Sequence, residues 1–224
     1  MTKGEKTRER IFETALALFA EKGFASATMR EIAAGAGCSL GLAYRYFESK
    51  DAMALALYAR LVEEFAEEVS LLEPGTLARR WAGAERADLT RLSAHRGTLA
   101  GLTGAGLMPG GRTQVLGTEA APLRRRMLGI FGEIVAGAKD APKPATSKPL
   151  VTLFYATHLL LILFWLQDPT ENQRTTWKLI DFGEEILGKL GLLLRLPFAG
   201  GLLQRAEELL GPLFTGEAAA SDRA

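Results

Sequence analysis

This chain is poor in the residues that build catalytic and metal centres. Its 224 residues include one cysteine, Cys38, and two histidines, His95 and His158. One cysteine makes no internal disulfide, and no thiolate-stabilising neighbour lies near it in sequence, so Cys38 reads as a small buried residue. Neither histidine has a carboxylate or cysteine at metal-ligand spacing, which predicts no metal and no cofactor. An excess of one charge is also missing: 27 Lys and Arg face 26 Asp and Glu, for a net charge of +1. Bulk charge therefore does not draw the protein onto nucleic acid, and any such contact depends on placement. Gly104 to Gly111 has neither the spacing nor the preceding strand of a phosphate loop or dinucleotide fingerprint. The pairs Glu63-Glu64, Glu67-Glu68 and Glu184-Glu185 lie opposite apolar stripes, as solvated faces, and no motif pairs a serine or cysteine with histidine. These absences argue against an enzyme. The polar, charged start predicts no signal peptide and a cytoplasmic location.

One long apolar run is present, Leu150 to Leu166. It falls short of the ~20 residues a membrane span needs, and it holds Thr152, Thr157 and His158 without basic flanks, so it reads as a buried helix with no membrane partner. With 48% hydrophobic and 24% charged residues the chain can fill one small and one larger helical core.

Residues 28 to 50 have the pattern of two short helices joined by a glycine turn, the form of a DNA-reading helix-turn-helix. Thr28 followed by Glu31 is a capping box, and Ile32 and Ala33 then face inward. Gly35 and Gly37 break the first helix, and Ser39 starts the second, Leu40 to about Phe47. In the preceding segment Ile11, Ala15, Leu18, Phe19 and Lys22 follow helical spacing, and Gly23 ends the run. A left-handed Gly23 would place Phe19 and Phe24 at the contact positions of a Schellman cap. After the motif, Ser49 caps a further helix with Asp51 in its first turn; Met53, Leu57, Leu61, Phe65, Val69 and Leu72 form its buried stripe, and Pro74-Gly75 ends it.

Residues 7 to 60 resemble the amino-terminal domain of the tetracycline-repressor (TetR) family of bacterial transcription regulators. The resemblance runs through Ile11, Ala15, Leu18, Phe19, Gly23, Thr28, Ile32, Ala33, Ala36, Gly37, Ser39, Gly41, Tyr44, Tyr46, Phe47, Ser49 and Lys50. Cys38, Leu40 and Ala43 depart from it. It implies an all-α fold: a three-helix helix-turn-helix DNA-binding domain over 1–50 (about 7–50), a larger helical ligand-binding and dimerisation domain over 51–214, and a polar tail over 215–224.

The expected DNA-contacting residues are Thr28, Arg30, Ser39, Leu40, Gly41, Tyr44, Arg45, Tyr46 and Lys50. Arg45 could fork onto guanine, Leu40 and Tyr44 could pack on thymine methyls, and Gly41 would admit the backbone. Leu40 has a second reading, packed on the preceding helix with Ala36, Ala43 and Phe47. Tyr44 and Tyr46 point to different sides of a helix, so at least one is wet or in contact with a ligand. By resemblance Tyr46 and Lys50 bind phosphate, and Lys50 at a helix amino terminus fits that role. Residues 1–50 carry eight Lys and Arg against six Glu. Among them Lys3, Lys6, Arg8 and Arg10 form a basic arm, read equally as a DNA contact or a solvated tail.

Breakers divide the remainder into a helix over 77–96, a glycine-rich stretch over 97–117 that is either a gate or a disordered loop, and a helix over 122–139. A loop marked by Pro142, Pro144 and Pro149 follows, then the apolar helix, a long helix over 171–196 and a last helix to about Leu210. Wide side chains at Trp81, Met127, Phe131, Phe154, Tyr155, His158, Trp165 and Trp177 could line a pocket for a small hydrophobic or amphipathic effector, His158 serving as polar anchor. The resemblance implies a homodimer made by two carboxy-terminal helices from each subunit. Leu160, Leu163, Phe164, Ile180, Leu187, Leu190 and Leu194 are the expected seam, the alternative being a purely internal core. The functional expectation is a sequence-specific regulator, a repressor released from an inverted-repeat double-stranded operator by an effector. The competing expectation is an architectural DNA-binding dimer without an effector.

Overall fold

The computed structural model describes residues 1–107, 112–190 and 197–215, which form α helices and no strand. In order these are α1 (Lys3–Lys22), α2 (Met29–Gly35), α3 (Leu40–Tyr46), α4 (Lys50–Ser70), α5 (Leu77–Leu92), α6 (Arg96–Leu107), α7 (Ala121–Ala136), α8 (Pro144–Gln167), α9 (Arg174–Leu190) and α10 (Pro197–Thr215). They fall into two compact units, one of residues 1–60 with 93–120 and one of 61–92 with 121–224. The expected boundary at residue 50 is therefore displaced: the division lies inside α4, and a later segment returns to the first unit. The expected tail over 215–224 lies, beyond Thr215, outside the described residues.

In the first unit α1 buries Ile11, Phe12, Ala15, Leu16 and Phe19. Phe12 stacks on Phe47 at 5.7 Å between ring centroids. Leu18 and Lys22 are only half-buried, because the stripe is centred on Phe12 and Leu16. The basic arm is no free tail. Thr2 and Glu5 form a capping box that starts α1 at Lys3, so Lys3, Lys6, Arg8 and Arg10 stand on its first turns. Gly23 ends α1 with φ 80° and ψ 157°, positive as expected but outside the left-handed helical well. Phe19 and Phe24 still meet edge to face at 5.2 Å.

The first part of the glycine-rich stretch is no loop but α6, packed on α1, whereas residues 112–117 are turns. Gly101 makes that crossing possible, since a Cβ there would lie 2.1 Å from the Phe19 carbonyl oxygen. The Phe24 N–H donates to the Gly101 carbonyl at 3.2 Å, and the Thr98 hydroxyl donates to that of Leu16 at 3.3 Å. Residues 108–111 of the stretch lie outside the described residues.

In the second unit α5 packs on α9 and α7, and α8 packs on α7, α9 and α10. Gly183 of α9 gives the Trp81 ring its seat, a Cβ there falling 2.6 Å from the indole. The proline-marked loop is shorter than expected, because Pro144 opens α8 and Pro149 lies within it. Pro144 sits where a helix has no use for the N–H it lacks. By length and composition α8 could cross a membrane, yet it places Phe154, Tyr155, His158, Leu161 and Trp165 in this unit's core. Buried Asp168 ends it and organises the next turn. Its carboxylate accepts from the N–H and hydroxyl of Thr170 and from those of Thr176, at 2.7–2.9 Å. Burial works against that carboxylate, but the four donors outweigh it and hold its pKa well below the usual range. The helix expected over 171–196 thus begins as a 3-10 turn with Asn172 at φ 52°, and α9 proper starts at Arg174. The last helix runs beyond Leu210 to Thr215.

Candidate nucleic-acid interface

Each junction of the helix-turn-helix is fixed by local hydrogen bonding. The Thr28 hydroxyl accepts from the Glu31 N–H at 3.3 Å, and the Glu31 carboxylate accepts from the Thr28 N–H at 2.9 Å. Lys22 pairs with the same carboxylate, and Lys22 and Thr28 together hold Glu31 down to about 2. At the other end of α2 the Cys38 N–H donates to Ala33 and the Gly37 N–H to Ala34, both at 3.0 Å, with Gly37 at φ 60°. That pair of bonds is a Schellman motif, found here at the turn of the helix-turn-helix instead of at Gly23. Ser39 then caps α3, its hydroxyl accepting from the Leu42 N–H at 3.2 Å.

These junctions set the rotation of α3. Ala43 and Phe47 are buried, whereas Gly41, Tyr44 and Arg45 face solvent and nothing lies near Gly41 where a Cβ would stand. Tyr44 is the wet tyrosine, 49% exposed. Leu40 does not join Ala36, Ala43 and Phe47 inside; it is 37% exposed. With Thr28, Met29, Arg30, Tyr44 and Lys50 it lines a shallow groove of about 450 Å³. Thr28, Arg30 and Ser39 are exposed beside it.

Lys50 is engaged within its own unit. Its ammonium donates to the carbonyls of Phe24, Ala25 and Ala27 at 2.7, 3.1 and 3.2 Å and lies 4.6 Å from the centre of the Phe24 ring. An ammonium has three donors, and all three are engaged, so here Lys50 clamps the loop between α1 and α2. Tyr46 is half-buried, with its hydroxyl against the first turn of α1 at Gly4. The exposed guanidinium of Arg8 lies over the Phe47 ring at 4.6 Å. The sequence reading missed Arg112, which neutralises Glu48 beside the groove at 2.9 Å and also meets Glu119. A separation of 64 positions between Arg112 and Glu48 leaves no sequence signal for that pair.

The expected effector residues do come together, but as a packed core. Trp81, Met127, Phe131, Phe154, Tyr155, His158 and Trp165 are buried, while Trp177 stands apart, half-exposed, donating to the Asn172 carbonyl. Phe131 meets His158 at 5.3 Å and Tyr155 at 6.1 Å, and Phe65 stacks on His158 at 5.5 Å. His158 is no anchor in an apolar pocket: its Nδ1 lies 2.9 Å from Glu85, and its Nε2 3.7 Å from Asp88. Burial disfavours the imidazolium, but the charge and hydrogen bond of Glu85, helped by Asp88, outweigh it and raise the His158 pKa.

The expected seam divides. Leu160 and Phe164 of α8 and Leu190 of α9 are exposed, and Leu163 and Leu187 are half-buried. Ile180 is fully buried against its own chain and drops out, and Leu194 lies outside the described residues. Leu179, Phe182 and Ile186 continue the exposed apolar face of α9 toward Leu190. They follow helical spacing, a signal the sequence contained.

Comparison with known proteins bears on this geometry. The family model described as "Bacterial regulatory proteins, tetR family" matches residues 11–57. The HTH-type transcriptional regulator YerO of Bacillus subtilis is 49% identical over 49 residues, 22% of this chain and 17% of that protein. The HTH-type transcriptional regulator MT1294 of Mycobacterium tuberculosis is 38% identical over 65 residues, 29% of this chain and 32% of its own. The chain thus spans at most a third of the length of these curated relatives. In fold it is similar to a TetR-family regulator structure from Syntrophomonas wolfei, with a TM-score of 0.66 at 17% identity over 85% of this chain and 97% of the other.

Proposed function

We propose, from the match of residues 11–57 to the tetR family of bacterial regulatory proteins, that this chain is a sequence-specific DNA-binding regulator of transcription, acting as a homodimer on an inverted-repeat operator. The carrying observation is the division of α3 into a buried side, Ala43 with Phe47, and an outward side, Leu40, Gly41, Tyr44 and Arg45. Arg45 supplies the fork for guanine, Tyr44 and Leu40 the apolar contacts, and Arg30 with the α1 residues Lys3 and Lys6 the phosphate contacts. One short helix reads few bases. Two, related by a two-fold axis and ~34–36 Å apart, read successive major grooves. The exposed apolar faces of α8 and α9 supply the dimer contact, as a four-helix bundle between copies.

The protein acts as a repressor released by a small amphipathic effector. Bound ligand need only favour the non-binding arrangement by a few kcal/mol to shift the population, with α4 as the covalent link that carries the change. Gel-shift on the DNA beside its own gene tests the reading. Arg45→Ala should relax preference at one base position, whereas Lys6→Ala should weaken every sequence and flatten the salt dependence. Equal losses for both variants on all sequences would overturn sequence-specific reading.

A further inference from the structure

The open space in the second unit is not among the aromatic residues. A cavity of about 330 Å³ lies between α7, α8 and α10, walled by Leu128, Gly129, Val151 and Phe214 and bordered by Lys148 and Glu207. Its size falls within the range of small-molecule sites, and its wall is apolar apart from these two charges and the Thr152 hydroxyl. None of the aromatic candidates from the sequence lines it.

The chemistry of this cavity is set by Glu207. Its side chain is 15% exposed, and one oxygen, Oε1, meets the Lys148 ammonium at 3.3 Å. The other oxygen, Oε2, is buried and has no hydrogen-bond partner among the described residues. A covered carboxylate oxygen without a donor is costly, and a donor brought to it is correspondingly favoured. Lys148 satisfies it poorly, since its own side chain is 81% exposed and an ion pair so open to water contributes little. The carboxylate lies along Gly211, where a Cβ would stand 3.1 Å from Oε1, so the glycine leaves it room on that side. On the other side, Arg124 donates to the Phe214 carbonyl at 3.0 Å, and the Phe214 ring meets that of Tyr155 at 4.9 Å, so the last turn of α10 is held as a wall.

We propose that this cavity binds a small amphiphile with an apolar body and a protonated amine head, the body against Leu128, Val151 and Phe214 and the head on Glu207 in place of Lys148. The inference deepens the effector reading given above and rests on it only for its regulatory consequence; binding itself stands apart. Anionic amphiphiles are disfavoured by the same carboxylate, and neutral ones leave Oε2 without a cationic donor.

The test is calorimetric titration of the full-length protein with decylamine, decanol and decanoate, each below its micellar concentration. Decylamine should bind at least ten-fold more tightly than the other two. Glu207→Gln should remove that preference, and Lys148→Ala should strengthen amine binding several-fold. Gly129→Leu fills the cavity from a position where a Cβ meets nothing within 4 Å, so it should abolish binding while leaving helix content and melting temperature intact. Equal affinity for amine and alcohol, an amine preference that survives Glu207→Gln, binding that survives Gly129→Leu, or no binding at all would overturn the proposal. Operator affinity measured with and without decylamine separates the two readings: saturable binding that leaves DNA affinity unchanged refutes the regulatory role and not the site.

Discussion

The Nδ1 of His158 lies 2.9 Å from Glu85 Oε2, with both side chains buried, joining α8 to α5 through an ion pair that a separation of 73 positions conceals. Asp88 stands on the other side of the imidazole and also meets Arg91, which in turn reaches Glu64 at 3.0 Å and Glu68 at 3.4 Å. Burial pushes Asp88 up to about 6 from 3.8 despite the charges of His158 and Arg91. Stability should therefore fall with rising pH. The raised imidazole contributes stability that is complete below its unfolded value of 6.5 and lost as pH climbs through the higher folded value. Asp88 holds a proton more tightly folded than unfolded, so the fold also loses stability between 3.8 and about 6. Thermal melts across that range and into alkali should show decreasing melting temperature. His158→Ala, which strands two buried carboxylates, should cost about 3–5 kcal/mol at neutral pH and flatten the alkaline limb; an unchanged pH profile would refute the assignment.

Lys50 should behave as a structural residue. With its ammonium on three carbonyls of the α1–α2 loop, Lys50→Ala should destabilise the first unit by roughly 2 kcal/mol. Arg45→Ala, at an exposed position, should leave stability within about 0.5 kcal/mol. Denaturant unfolding of both variants checks the contrast, and a Lys50→Ala protein of undiminished stability that has only lost DNA affinity would return Lys50 to the phosphate-binding set.

Glycines in α6 should divide by what they face. Gly101→Ala drives a Cβ into the Phe19 carbonyl and should cost about 3 kcal/mol or more. Gly104→Ala meets open space in the same helix and should stabilise by up to ~1 kcal/mol. Chemical denaturation of the pair tests whether α6 docks on α1 in solution.

The dimer face should be sensitive at α9. Phe182→Glu or Ile186→Glu places a charge in the centre of the exposed apolar stripe and should give monomers by sedimentation, with operator binding reduced at least ten-fold. Leu209→Glu, on the exposed side of α10 at 72% exposure, should leave the assembly unchanged. The reverse pattern would move the interface to α10.

What could be read along the chain was whatever is decided within a few residues. The capping box at Thr28, the glycine break at Gly37, the cap at Ser39 and the apolar stripe of α4 depend on i to i+3 or i+4 contacts, and spacing reports those directly. The face of α3 was legible only in part: spacing required Tyr44 or Tyr46 to be wet, and the packing of Ala43 and Phe47 decided that it is Tyr44. Partners far apart in sequence were not legible. Glu85 and His158, Arg112 and Glu48, and Lys50 with its loop carbonyls meet only when the chain folds, so neither the carbonyls around Lys50 nor the carboxylates around His158 could be read from spacing. The glycines of α6 misled for a related reason: local propensity counts glycine against a helix, whereas the crossing with α1 requires it, since only a residue without a Cβ can lie against the Phe19 carbonyl. Local spacing and caps, with the resemblance they carry, set the all-helical expectation and its reading head; packing at helix crossings decided which charges are buried, which apolar stripe is bare and where a cavity remains.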